Sequence, residues 1–180
     1  MDLSSTSSHT PPATRVPLPN YFERIPYSCI IDAEVFPLMS KQEDATLILK
    51  LYELRREEVM RKARGWYIRD FHPATIEDFM QAMTGDNSGY LRMVISYWDM
   101  AAALVNEGGI NLQMFDKANA EHIVVFCKIE KLLPEIRANM APHFARNLET
   151  LIDAIPEGRQ RAAGARDRMA AMRARLAKSS

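Results

Sequence analysis

The chain is 180 residues long, 47% hydrophobic and 26% charged, with 23 basic side chains balancing 23 acidic ones. That composition belongs to one globular domain and excludes a disordered chain, and 7 glycines among abundant Ala, Leu, Met, Glu and Arg favour an all-α fold. Two cysteines, Cys29 and Cys127, are too few and too far apart for a disulfide scaffold or a zinc site, so both are expected as free thiols in a reducing compartment, with no metal and no cofactor.

Residues 1–20 are rich in Ser, Thr and Pro and lack the basic start and apolar run of a secretory signal, so they read as a disordered lead in a cytoplasmic protein. In 21–39 the apolar residues Tyr21, Phe22, Ile25, Ile30 and Phe36 are broken by Pro26 and Pro37, which predicts an extended or short-helical surface segment. Ser40 and Glu43 have the spacing of a capping box and open a helix expected to run to about Ile68. Leu47, Leu51 and Leu54 form one stripe, and Val59, Ala63 and Trp66 continue it after a five-residue step, so a bend is expected near Arg55. Glu57 with Arg61 and Glu58 with Lys62 have the i,i+4 spacing of ion pairs on a solvated face.

After Pro73, the cap spacing of Thr75 and Asp78 begins a short helix carrying Ile76, Phe79, Met80 and Met83. The loop 85–89 leads into a helix over 90–107 that is apolar on two sides. One row is Tyr90, Val94, Tyr97, Ala101 and Leu104, the other Leu91, Ile95, Trp98, Ala102 and Val105. Such a pattern predicts the central helix of the core, ended by Gly108-Gly109. A brief helix with Leu112 and Phe115 follows, then a longer one with Ile123, Phe126, Cys127, Ile129 and Leu133 that Pro134 kinks or ends. Another over 141–154 turns Phe144, Leu148, Leu151 and Ile152 inward. The expected architecture is an irregular antiparallel helical bundle of five to six helices over 21–156, with no apolar run long enough to cross a bilayer.

Residues 157–180 form a basic amphipathic tail. From Arg159 onward seven basic side chains meet Asp167 alone, a net of +6, and the remainder carries the compensating −6. Ala165, Met169, Met172 and Leu176 recur at helical spacing, so a tail helix over 160–178 is expected to dock through Arg166, Met169, Met172, Arg173 and Leu176. Its partner is expected to be the acidic body or another protein, including a second copy, with nucleic acid or an anionic membrane surface as further candidates; the alternative is a solubilising tail that binds nothing.

The run Tyr90-Leu91-Arg92-Met93-Val94-Ile95-Ser96-Tyr97-Trp98-Asp99-Met100, followed by Leu104-Val105-Asn106-Glu107-Gly108, resembles a group of uncharacterised small helical bacterial proteins of unknown function. Leu54-Arg55-Arg56, Ala63-Arg64-Gly65-Trp66 and Phe144-Ala145-Arg146-Asn147-Leu148 fit the same resemblance, which extends from about Leu51 to Leu151. It implies a helical fold and no particular activity.

Nucleotide-binding, zinc-protease, calcium-loop and nucleophile-elbow motifs are absent, and none of His9, His72, His122 and His143 follows a glutamate three residues earlier as in di-iron bundles. Arg92, Ser96 and Asp99 at i, i+4 and i+7 make one polar stripe on the central helix beside Trp98. Facing inward, the stripe would line a ligand pocket; the alternatives are a structural network or solvent. Arg137 and His143 match the Arg-x5-His spacing of helical ribonucleases, in which an imidazole moves the ribose 2′-OH proton and a guanidinium stabilises the phosphorane charge. The competing reading is a surface arginine and a loop histidine. Glu121-His122 with Asp116 upstream reads as a solvated helix start. The first functional reading is a non-enzymatic helical interaction or regulatory module. A small-ligand-binding or catalytic bundle through Arg92 and Asp99, and a ribonuclease through Arg137 and His143, are the alternatives.

Overall fold

A computed structural model of the chain describes residues 36–179, so the expected lead, the 21–35 part of the following segment and Cys29 lie outside the described residues. The elements run α1 (Phe36–Arg56), α2 (Glu58–Arg69), α3 (Ile76–Thr84), α4 (Ser88–Asn106), α5 (Leu112–Ala118), α6 (Glu121–Ile129), a 3₁₀ turn (Glu130–Leu132), α7 (Leu133–Asn139), α8 (Arg146–Ala154) and α9 (Gly158–Ser179). Among the described residues all regular structure is helical, as composition required.

Apart from the tail helix α9, the expected five to six helices become eight α-helices, α1 to α8, among the described residues, for two local reasons. First, α1 starts upstream at Phe36, which leaves Ser40 inside the helix, and the bend expected near Arg55 is a complete break. Glu57 leaves helical geometry at φ −54° and ψ 144°, and its carboxylate accepts from the Met60 N–H at 3.0 Å, so it caps α2. Glu58 and Lys62 do pair, at 2.7 Å on the surface. Second, the apolar run 123–133 hides a change of winding, because α6 ends at Ile129, one 3₁₀ turn follows, and Pro134 then sits in the first turn of α7, where a missing N–H costs little.

The shorter signals behaved as their chemistry demands. Thr75 and Asp78 form a reciprocal capping box on α3. Gly108 adopts φ +77° just beyond α4, a backbone state that glycine enters without steric cost.

Helix α4 is the centre of the molecule. Its second apolar row, Leu91, Ile95, Trp98, Ala102 and Val105, is buried throughout, together with Val94 and Ala101 from the first row. Tyr97 lies at the edge of this packing, where its hydroxyl donates to the Leu51 carbonyl at 2.6 Å. Helices α2 and α8 make the most extensive contacts with α4, and α6 packs in turn against α8 and α9. The first half of α9 belongs to this core through Ala162 and Ala165. Its close approach to α8 depends on Gly158, where an added Cβ would stand 1.9 Å from the Ile152 carbonyl oxygen.

Candidate functional site

The polar stripe on α4 and the His143 loop meet at one place. Arg92, Ile95, Ser96 and Asp99 on α4 face Met83 at the end of α3 and the 141–145 connection between α7 and α8, enclosing a cleft of about 440 Å³. Two of the stripe's charged groups are engaged by backbone. Arg92 donates to the Met83 carbonyl at 3.1 Å. Asp99 accepts from the Leu148 N–H at 2.9 Å and from the Asn147 side-chain amide at 3.0 Å. The second contact set explains how α8 begins: Ala145, its N-cap residue, sits in the left-handed region at φ 50° and has no side chain able to cap. Asp99 therefore caps α8 from another helix. Trp98 points away from the cleft into the core, 1% exposed, with its indole N–H 3.4 Å from Glu121.

Arg137 does not join His143. Its guanidinium donates to the Phe144 carbonyl at 3.0 Å and pairs with Glu149, while His143 is exposed and lines the cleft. His122, expected at a solvated helix start, is wholly buried instead, because its ring packs against Trp98 and Phe115 at centroid distances of 5.8 and 5.3 Å. Burial pulls its pKa down to about 4 against the upward pull of Asp116, whose carboxylate lies 4.0 Å away, and Arg161 adds to the lowering. Neither ring nitrogen has a hydrogen-bond partner among the described residues. No group of three or more His, Cys, Asp or Glu side chains among the described residues is arranged to hold a metal ion.

The acidic body receives the first half of the basic tail. Arg159 bridges Glu130, Glu149 and Asp153, Arg161 pairs with Asp116 at 2.8 Å, and Arg166 pairs with Glu130 while donating to the Cys127 carbonyl. Met169 packs on the core, whereas Met172 is 63% exposed and Leu176 58% exposed further along α9. Arg173, one turn beyond Met169, borders a second recess beside Lys128 and His72.

Lys128 belongs to no motif in the sequence. Although charged, it lies in the buried face of α6, and its ammonium donates to the carbonyls of Tyr67, Ile68 and Phe71 at 2.7, 2.9 and 2.7 Å. Those groups include the end of α2, so the cation serves the negative end of that helix. One available signal was a lysine interrupting an otherwise apolar run from Ile123 to Ile129.

The model of one protein family, described as a domain of unknown function (DUF4760), matches residues 41–155. The cleft lies wholly within that span; α9 lies outside it. No curated protein and no solved structure matches the chain.

Proposed function

The chain belongs to the DUF4760 family, a domain of unknown function, and from that premise we propose that it is a non-enzymatic binding module that takes a small, mainly apolar group in the cleft between α3, α4 and the α7–α8 connection. The observation that carries this reading is the engagement of the cleft's charged groups. Arg92 holds the end of α3 and Asp99 holds the start of α8, so both ions serve the fold. Proton transfer needs a base and an acid free to act on one reacting atom. Both Asp99 oxygens already accept hydrogen bonds. The remaining lining is dominated by Met83, Ile95, Pro142 and Phe144, with Ser96 and His143 as the polar groups available to orient a ligand. An apolar wall with a few convergent polar groups is the usual make-up of a small-molecule or side-chain pocket.

A fragment screen followed by amide chemical-shift changes tests the proposal. Apolar fragments carrying one hydrogen-bonding group should shift Ile95, Ser96 and Ala145 together, and Ser96→Phe, at an exposed position on the cleft wall, should abolish those shifts without unfolding the chain. Shifts scattered over the surface, or unaffected by Ser96→Phe, would remove the cleft as the site. RNA cleavage lost in His143→Ala would replace the reading with the ribonuclease one.

A further inference from the structure

The recess beside Lys128 carries an inference independent of the cleft. Helix α9 presents Arg166, Met169 and Arg173, at i, i+3 and i+7, beside the end of α2 and the junction of α6 with the 3₁₀ turn. They help to close a pocket of about 320 Å³ whose ionisable side chains, apart from the Cys127 thiol, are His72, Lys128, Lys131, Arg166 and Arg173, with no carboxylate in its lining among the described residues.

Gathering like charges in a recess raises its potential, and the nearest carboxylates, Glu130 on Arg166 and Asp70 acting on Lys128 and His72, offset only part of it. Lys128 is held by carbonyl oxygens and by Nδ1 of His72 at 3.2 Å, not by a carboxylate. An ammonium cannot accept a hydrogen bond, so the Nδ1 that faces it carries no proton, and the His72 proton resides on Nε2, which donates to the Arg69 carbonyl at 2.8 Å. The imidazole is therefore neutral and both nitrogens are occupied. Arg166 shares Glu130 with Arg159 and uses its Nε on the Cys127 carbonyl, which leaves one terminal nitrogen without a hydrogen-bond partner among the described residues. Lys131 and Arg173 have no carboxylate partner among the described residues. The electrostatics agree with the geometry. Burial, joined by repulsion from Arg173, brings Lys128 down to about 8, and burial with repulsion from Lys128 and Arg173 lowers His72.

We propose that this pocket binds the dianionic phosphate group of a small organic phosphate, with Lys131, Arg173 and the remaining arm of Arg166 donating to its oxygens and the organic portion lying against Leu132 and Met169. Guanidinium groups present paired donors that match phosphate oxygens, and Lys128 adds fixed positive charge at the base of the site. A bound dianion offsets the repulsion that the fold builds in. The recess is a single pocket of about 320 Å³, which suits one phosphate group better than a nucleic-acid strand, whose successive phosphates need a groove that follows the backbone.

The test is calorimetric and NMR titration of the full chain with inorganic phosphate and with phenyl phosphate at constant ionic strength. Saturable binding is expected, tighter for phenyl phosphate, with shifts centred on Lys131, Arg166 and Arg173. Arg173→Gln, at an exposed position, should weaken binding about tenfold, whereas Arg168→Gln, which lines a different recess on the same helix, should stay within about twofold. Equal losses in the two variants would reduce the effect to the diffuse charge of the tail and overturn the proposal. So would the absence of saturation at about 10 mM phosphate, or binding of RNA or anionic vesicles that phenyl phosphate does not compete away.

Discussion

His122 shows what burial does to a single ionisable side chain. Its ring is enclosed by Trp98 and Phe115, and its folded pKa of about 4 lies below the ordinary value of 6.5 that the unfolded chain retains. Between those values the unfolded state binds a proton that the folded state refuses. Stability is therefore full above about pH 6.5 and declines as pH falls toward 4, by on the order of 3 kcal/mol for this residue. His122→Phe keeps an aromatic ring of similar size and removes the titration. Urea unfolding of both proteins at pH 7 and pH 4.5 should show the wild type losing stability relative to the variant as pH drops; a constant difference would mean that His122 is not held neutral. Asp99 makes the complementary point, since it lies beside the cleft yet both of its oxygens serve the start of α8.

At the scale of elements, the attachment of α9 depends on how closely two backbones approach. Gly158 stands where any Cβ would meet the Ile152 carbonyl oxygen at 1.9 Å and the Ile155 side chain at 2.8 Å, whereas a Cβ at Gly164 would meet only the end of the flexible Arg168 side chain, at 3.2 Å. The two glycines occupy one helix and should respond in opposite senses. Gly158→Ala is expected to cost about 1–3 kcal/mol through overpacking, and Gly164→Ala to be neutral or to stabilise by up to about 1 kcal/mol through helix propensity. Thermal unfolding of the two variants decides it. Equal responses would show that α9 is not docked on α8. Helix α2 depends on a distant group in a similar way, because the Lys128 ammonium reaches the carbonyls of Tyr67 and Ile68 near its end.

For the whole molecule the decisive position is Trp98. It is buried in the middle of α4, touches Tyr97 edge-on at 5.1 Å and Phe115 at 6.4 Å, and directs its N–H toward Glu121, which also pairs with Arg64 on α2. One side chain thus lies against α5 and against the ion pair joining α2 to α6. Trp98→Ala should cost about 3–5 kcal/mol, the range for truncating a large buried aromatic, and should lower the midpoint of a cooperative denaturant transition. A loss below about 1 kcal/mol would contradict the central position of α4.

The sequence by itself determined whatever depends on neighbours along the chain. The Thr75–Asp78 box, the Gly108 stop and the fully buried row from Leu91 to Val105 follow from backbone chemistry and a 3.6-residue period, and they appear as read. Only the first half of the tail stripe, Ala165 and Met169, packs as read while Met172 and Leu176 stay exposed, and composition could only indicate that an acidic surface would receive it. Tertiary structure decided which surface that was, placing Arg159, Arg161 and Arg166 on Glu130, Asp116 and their neighbours. Asp99 caps a helix through a residue 49 positions away, and Lys128 reaches a carbonyl 61 positions away. Periodicity says that such residues lie on a helix, not which free backbone ends the packing will bring to them. The burial of His122 and the basic pocket share that physical cause: each is made by side chains from separate helices, whose charges and rings acquire one environment only after the helices have packed.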